Sequence, residues 1–297
     1  MHTEGTRTQM KPIIQLLRPH QYIKNMLVFA PLFFSFSYGE PDKVVLSIEA
    51  FICFCIASSA VYILNDLMDR EEDREHPEKR HRPIASGRVS LGAARVLLSV
   101  LLLGALTLAA AIDTALLYVI ALYCAVNVFY SFGLKRVAIL DIVLLSFGFL
   151  LRVAGGGAVT GIEVSMWLVI MTFLLAVFLG IAKRRQDLKL SALGLKTRRN
   201  IGAYNLEFIN ATMVLMAGVI IVAYLLYTVE PEIQAHFRTH SLYITSLFVI
   251  TGILRYMQIV FVEDGNTDPT DVLYRDRFLQ IVIVLWILSF LILRGRG

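Results

Sequence analysis

Apolar residues gather along this chain in long stretches separated by short polar breaks. Nine stretches approach the roughly 20 mostly apolar residues that a helix needs to cross a bilayer. They cover about 22–38, 44–64, 91–112, 116–132, 138–156, 165–182, 208–229, 242–262 and 278–293. The first is weakened by Lys24 and Asn25 near its start. The fourth begins only a few residues after Ile112, so the third and fourth are expected to form a tight helical hairpin around Asp113 and Thr114. The pattern predicts an all-α membrane protein of nine transmembrane helices, with one integral membrane domain over 1–297 and charged loops at 66–90 and 183–207. No soluble domain, linker or low-complexity tract stands out. Residues 12–18 are expected to form a short interfacial helix.

Composition agrees with this reading. The 297 residues are 57% hydrophobic and 17% charged, with a mean hydropathy of +0.67, whereas a soluble domain is nearer half apolar and a quarter charged. The N-terminal residues lack a basic region followed by a separate apolar core and a small-residue cleavage site, so no cleaved signal peptide is expected. Cys53, Cys55 and Cys124 all lie inside apolar stretches. Their odd number and spacing give neither a disulfide framework nor a zinc site.

Basic residues set the orientation. Most of the 28 Lys and Arg fall in the N-terminal tail and in the segments after the second, fourth, sixth and eighth stretches. The opposite side carries only Lys43, Arg238, Arg294 and Arg296. The positive-inside rule then places the N-terminus and the long charged loops in the cytoplasm, and the C-terminus outside. The surrounding membrane is expected to be the inner (plasma) membrane.

The chemistry centres on Asn65-Asp66-Leu67-Met68-Asp69-Arg70-Glu71-Glu72-Asp73, where the second apolar stretch gives way to charge. On a helix Asp66, Asp69 and Asp73 fall at i, i+3 and i+7, on one face. Like charges so placed are destabilising unless a cation neutralises them. One reading is a solvated helix end paired with Arg70, Arg74 and Lys79. Three features favour a metal site: the acids begin inside an apolar run, where charge is costly; Asn65 adds a neutral oxygen; and Arg82 lies in the basic segment that follows. Hard oxygen ligands suit Mg²⁺, which is held by one or two carboxylates together with substrate phosphates.

Asn-Asp-x-x-Asp-x-x-x-Asp followed by Arg82-Pro83-Ile84-Ala85-Ser86-Gly87 resembles the first signature of the UbiA superfamily of intramembrane prenyltransferases. Arg18-Pro19-His20-Gln21-Tyr22-Ile23-Lys24-Asn25, Tyr130-Ser131-Phe132-Gly133-Leu134-Lys135, Lys183-Arg184-Arg185-Gln186-Asp187-Leu188, and Arg255-Tyr256 with Asp276-Arg277 resemble its decaprenyl-phosphate phosphoribosyltransferase branch. The resemblance spans nearly the whole chain. It implies nine helices bundled around a central cavity, with Asp66, Asp69 and Asp73 catalytic and, with Asn65, holding Mg²⁺. The chemistry it implies is attack by a polyprenyl phosphate on the ribose of phosphoribosyl diphosphate, releasing pyrophosphate and making a cell-wall precursor.

One departure carries information. Aromatic-substrate members have a second acidic motif after the sixth span, where this chain has Lys183, Arg184 and Arg185 with Asp187. Read alone, the three cations are either a topology anchor or an anion pocket. Beside a metal site, an anion pocket for two phosphorylated substrates is the preferred reading. Asp141 and Arg152 lie about three helical turns, roughly 16 Å, apart on one face, and are expected to line a cavity or to find other partners. Arg255 in the eighth stretch is treated likewise. Tyr130 and Lys135 approach the cytoplasmic end of the fourth stretch. Lys135, Arg152 and Lys183–Arg185 are expected to bind phosphate, with Lys24 and Asn25 on the lipid-phosphate side. Gly155-Gly156-Gly157 follows no strand and is not a phosphate loop; it is expected to end the fifth span or to allow close packing. Glu230, Glu232, His236 and His240 read as a solvated loop.

Two other functions compete with this one. A prenyl diphosphate could serve as donor to an aromatic or other small acceptor, because the acidic motif suits any diphosphate. A transporter of lipid phosphates would explain membrane cations but not carboxylates clustered on one side. The partners expected are phosphoribosyl diphosphate, a polyprenyl phosphate and membrane lipids, with no nucleic acid. Isoprenoid length and the existence of a homo-oligomer are left open.

Overall fold

The computed structural model describes residues 12–76, 79–192, 199–263 and 269–295, and these contain helices and no strand. Residues 12–17 form α1. A 3-10 segment follows over Pro19–Phe29, then α2 (Ala30–Phe34), α3 (Pro41–Met68), α4 (Arg70–Glu75), α5 (Leu91–Ile112), α6 (Thr114–Phe132), α7 (Leu140–Thr160) and α8 (Met166–Ala192). The chain continues with α9 (Leu206–Val229), α10 (Pro231–Phe237), α11 (Ser246–Phe261), α12 (Pro269–Arg275) and α13 (Arg277–Gly295). Among the described residues, eight helices are long and apolar enough to cross a membrane, so this is a multi-pass membrane protein.

The first expected stretch, 22–38, is not one continuous α-helix. There the chain adopts eleven residues of 3-10 turns and the five-residue α2. Pro31, near the start of α2, has no N–H to donate, and Asn25 turns inward. The path nevertheless runs antiparallel to α3. Arg18 meets Asp66, Tyr22 meets Ser59, Asn25 meets Cys55 and Ser58, and Phe29 meets Phe51. A 3-10 turn rises about 2.0 Å per residue against about 1.5 Å in an α-helix. The stretched turns let this short segment keep pace with α3.

Local capping explains the other boundaries. Ser90 caps α5 by accepting from Ala93 N (3.2 Å). Asp113 ends α5 and caps α6, its Oδ1 accepting from Ala115 N (2.7 Å) and Leu116 N (3.0 Å), so one carboxylate closes the expected hairpin. Asn205 caps α9 through Phe208 N (2.7 Å).

The chain divides into two compact units, residues 1–169 with 190–203, and residues 170–189 with 204–297. In the first, α3 packs on α5, α6 and α7 around Phe54, Ala57, Ile120, Tyr123 and Leu151. The glycine run sits inside α7 rather than ending it, and it permits close approach. A Cβ on Gly156 would lie 1.9 Å from the Val28 carbonyl oxygen, and one on Gly155 would lie 2.5 Å from the Phe54 ring. The irregular N-terminal segment is therefore seated directly on the α7 backbone. α1 is docked too: Leu16 is buried with Ile63, Ile84 and Ala94.

In the second unit α11 packs on α13 and α9, and Trp286 Nε1 donates to Tyr224 Oη (2.8 Å). The helix α8 continues to Ala192, so Lys183–Arg185 lie within a helix and not in the loop expected at 183–207. The loop residues Lys196 and Arg198 lie outside the described residues.

Candidate active site

The acidic motif forms where α3 stops. Its last regular residue is Met68, and Asp69 adopts φ −94°, ψ 6° before α4 begins. The single helix face expected for Asp66, Asp69 and Asp73 is thus interrupted, although Asp69 N still donates to Asn65 O (2.9 Å) and Asp73 N to Asp69 O (2.8 Å). The helical spacing survives the break, but the acids divide between two environments. Asp66 and Asp73 are 2% and 3% exposed and share one cation: Arg82 Nη1 lies 3.1 Å from Asp66 Oδ1 and 2.7 Å from Asp73 Oδ2. Asp69 instead forms an ion pair with Lys135 from the turn after α6.

Arg18 is the residue that sequence reasoning left out of the site. Its Nη2 donates to Asp66 Oδ1 at 2.6 Å, and its guanidinium lies over the Tyr62 ring at 5.1 Å. Arg18 is also in the left-handed region (φ 55°, ψ 57°), a conformation that costs a non-glycine residue about 1–3 kcal/mol. The strain and the ion pair occur at one residue, between α1 and the 3-10 segment. The only sequence signal was its place at the head of the Arg-Pro-His-Gln-Tyr-Ile-Lys-Asn motif.

Asn65 is fixed by Ser131, whose hydroxyl lies 2.5 Å from Asn65 Oδ1 and 2.7 Å from the Asn127 carbonyl. Tyr130 is buried beside it in sequence. Burial pushes the Asp73 carboxyl up from its ordinary range, and the charge and hydrogen bond of Arg82 pull it back.

Among the described residues, no three acidic, His or Cys side chains already converge as a cation cage. The donor chemistry nonetheless fits a hard divalent ion. The ligating atoms available are all oxygens, and Asp66 Oδ2 is buried without a hydrogen-bond partner, a costly state for a carboxylate oxygen.

Several residues expected at the site make internal contacts. Arg152 is internal: Nε donates to Asn25 Oδ1 (2.7 Å), Nη1 to the Gly148 carbonyl (2.6 Å) and Nη2 to Tyr123 Oη (3.1 Å). Its charge lies over Tyr123 at 4.9 Å and near Phe149 and Phe54. These neutral partners and ring faces offset the desolvation of a membrane-buried cation. Arg152 and Asn25, expected to bind phosphate, here bind the N-terminal segment to α7. Asp141 is fully buried at the start of α7, where its Oδ1 accepts from Ile142 N (2.9 Å). Lys24 precedes Asn25 in the 3-10 segment.

Three arginines of the second unit are likewise engaged. Arg184 pairs with Asp187 (3.1 Å). Arg185 donates to Asn210 Oδ1 (2.8 Å) and the Val260 carbonyl (2.6 Å) and stacks on Phe261. Lys183 is on the same helix. Arg255 pairs with Asp276 (2.6 Å) and Glu263 (2.5 Å), which makes it an ion-pair tie between α11 and the start of α13.

The site is thus an acid-rich membrane-helix end neutralised by cations from three other parts of the chain. Known proteins resemble the chain as a whole. Two decaprenyl-phosphate phosphoribosyltransferases align with nearly the whole chain. The one from Mycolicibacterium smegmatis is 34% identical over 287 residues, covering 93% of this chain and 90% of that protein. The one from Corynebacterium glutamicum is 34% identical over 282 residues, covering 93% and 84%. The fold matches a UbiA homolog from Archaeoglobus fulgidus, solved with DMAPP and Mg²⁺, at a TM-score of 0.69 and 20% identity, over 95% of this chain and 98% of that one. Residues 26–282 match the UbiA prenyltransferase family. With its all-helical membrane fold and its acidic motif at the end of α3, the chain belongs to the UbiA prenyltransferase family and is a membrane-embedded transferase.

Proposed function

We propose that this protein transfers the 5-phosphoribosyl group from phosphoribosyl diphosphate to a polyprenyl phosphate and releases pyrophosphate. The observation that carries this reading is the near full-length similarity to two phosphoribosyltransferases that act on decaprenyl phosphate. The residues fit the chemistry. Asp66, Asp69, Asp73 and Asn65 would hold Mg²⁺, as suits hard oxygen donors. Mg²⁺ would supply neutralisation of the negative charge that builds on the departing diphosphate. Arg82 and Lys135, already at the acids, provide donors for phosphate oxygens. Arg18 holds Asp66 in place.

The acceptor phosphate is already ionised near neutral pH, so its oxygen can attack the anomeric carbon without a general base. As the bond to pyrophosphate breaks, the ribose carbon gains positive character and no protein nucleophile is required. The absence of an acidic motif at Lys183–Asp187, where two cations are tied into α8 and its neighbours, favours this donor over a prenyl diphosphate. The acidic end of α3 would face the cytoplasm of the inner membrane, as the basic residues beside it require.

The test uses purified protein, radiolabelled phosphoribosyl diphosphate, Mg²⁺ and polyprenyl phosphate. Label is expected in a butanol-soluble lipid, with pyrophosphate released only when the lipid is present. Incorporation from a prenyl diphosphate alone would reject the proposal.

A further inference from the structure

Three acids and three cations meet at the end of α3: Asp66, Asp69 and Asp73 against Arg18, Arg82 and Lys135. The formal charges of these six ion-paired groups cancel, and Lys79 also acts on Asp73. A divalent ion approaching this set gains nothing from net charge until a cation leaves it. The three cations differ in how they are held. Arg18 is fixed by its left-handed backbone, by Gln21 N donating to its carbonyl (2.9 Å), and by the Tyr62 ring. Among the described residues Lys135 pairs with one acid, Asp69. Arg82 is in the connection between α4 and α5, its side chain is 28% exposed, and its Nη1 alone spans two nearly buried carboxylates from α3 and α4. Beside it Asp66 Oδ2 is buried without a partner. A positive centre bridging two carboxylate oxygens, next to an unused third oxygen, is the arrangement a divalent ion would take over.

We propose that Arg82 is a stand-in cation: it bridges Asp66 and Asp73 while the diphosphate donor is absent, and yields that position when metal and donor enter together. The inference rests on the donor reading above and extends it to the order of events. Once displaced, the guanidinium has an incoming diphosphate to bind, to which it is well matched. Metal alone must displace Arg82 with nothing to receive it, and donor alone meets carboxylates. Each ligand therefore strengthens the other, and the coupling is reciprocal. The exchange keeps the empty site from holding metal tightly in a form that lacks substrate.

The test reads Mn²⁺ affinity by electron paramagnetic resonance on purified, donor-free protein. Arg82→Gln removes the competitor and is expected to tighten Mn²⁺ binding about tenfold. Arg82→Lys keeps the competing charge and is expected to stay within about twofold of wild type. Each variant is purified with Mn²⁺ and then stripped. A variant whose metal-free form melts early still reports, because its rise in Tm on adding Mn²⁺ should exceed that of wild type. Asp66→Asn serves as the control and should abolish binding. If Asp66→Asn abolishes binding while Arg82→Gln leaves affinity and the Tm response unchanged or weaker, the exchange is overturned and the metal reading stands. Mn²⁺ affinity unchanged in Asp66→Asn would place the metal elsewhere and overturn both.

Discussion

The end of α3 and the basic stretch of α8 show two fates of a membrane helix that runs into charge. At the end of α3 the acids draw their cations from distant segments: Arg18 is 48 residues from Asp66 in sequence, and Lys135 is 66 residues from Asp69. In α8 two arginines are absorbed by their own unit. Arg184 pairs three residues along with Asp187, and Arg185 is spent on an amide, a carbonyl and a ring. A locally satisfied charge is part of the scaffold. A charge bridged by a partly exposed partner such as Arg82 can exchange it for a ligand. The difference predicts that the α3 acids serve turnover and that Arg185 serves stability.

The largest expected effect tests this contrast directly. Asp66→Asn should lower lipid-dependent pyrophosphate release at least about a thousandfold, the scale of losing metal stabilisation of a leaving group, while the protein stays inserted and folded by circular dichroism. Turnover within tenfold of wild type would remove the acids from the mechanism. Arg185→Ala should do the reverse. Loss of its hydrogen bonds and ring contact should cost about 2–4 kcal/mol of stability, read as a lower denaturation midpoint, with KM for the donor unchanged. A raised KM without loss of stability would return Arg185 to the anion-binding role read from the sequence.

A pair of glycines sharpens the comparison at smaller scale. Gly156→Ala would drive a Cβ against the Val28 carbonyl and should cost about 1–3 kcal/mol through overpacking, loosening the segment that carries Arg18. In the second unit a Cβ on Gly252 meets its nearest neighbours at 3.7 and 3.8 Å, so Gly252→Ala should be neutral or slightly stabilising. Equal effects in thermal melts would show that the N-terminal segment is not seated on α7 in the way described.

The smallest effect concerns acid. The hydrogen bond from Arg255, aided by that from Leu279 N, holds the Asp276 carboxyl below its ordinary value of 3.8. A depressed folded value means that the unfolded chain binds the proton first. The stabilisation is therefore complete above about pH 4 and is lost as pH falls through the lowered value. Asp276→Asn should flatten the fall in stability over that acid range and change little at neutral pH. An unchanged acid profile would show that the Arg255 tie does not contribute to it.

Much of the architecture was legible because it follows from local quantities. Hydropathy over about twenty residues marked the eight long helices, and Asp113 announced its hairpin by sitting between two apolar runs. The spacing of Asp66, Asp69 and Asp73 marked the acid site in the same way, since helix geometry relates residues only a few positions apart. The first stretch was misjudged as a continuous helix because hydropathy does not separate α from 3-10 turns. That choice is made by Pro31, by Asn25 bonding inward and by the seat that Gly156 provides.

Arg152 shows the limit best. A lone arginine in an apolar run suggests a cavity, yet its first partner, Asn25, is 127 residues away, and no local pattern encodes that distance. The same holds for Arg18, which looked like one more topology-setting cation until the fold placed it on Asp66. The sequence by itself determined which segments are apolar enough to enter a membrane and where oxygen ligands cluster at their ends, because both depend on neighbours within a few turns. Only tertiary structure decided which cations face those acids and which are enclosed among rings and carbonyls, because an ion pair depends on separation in space.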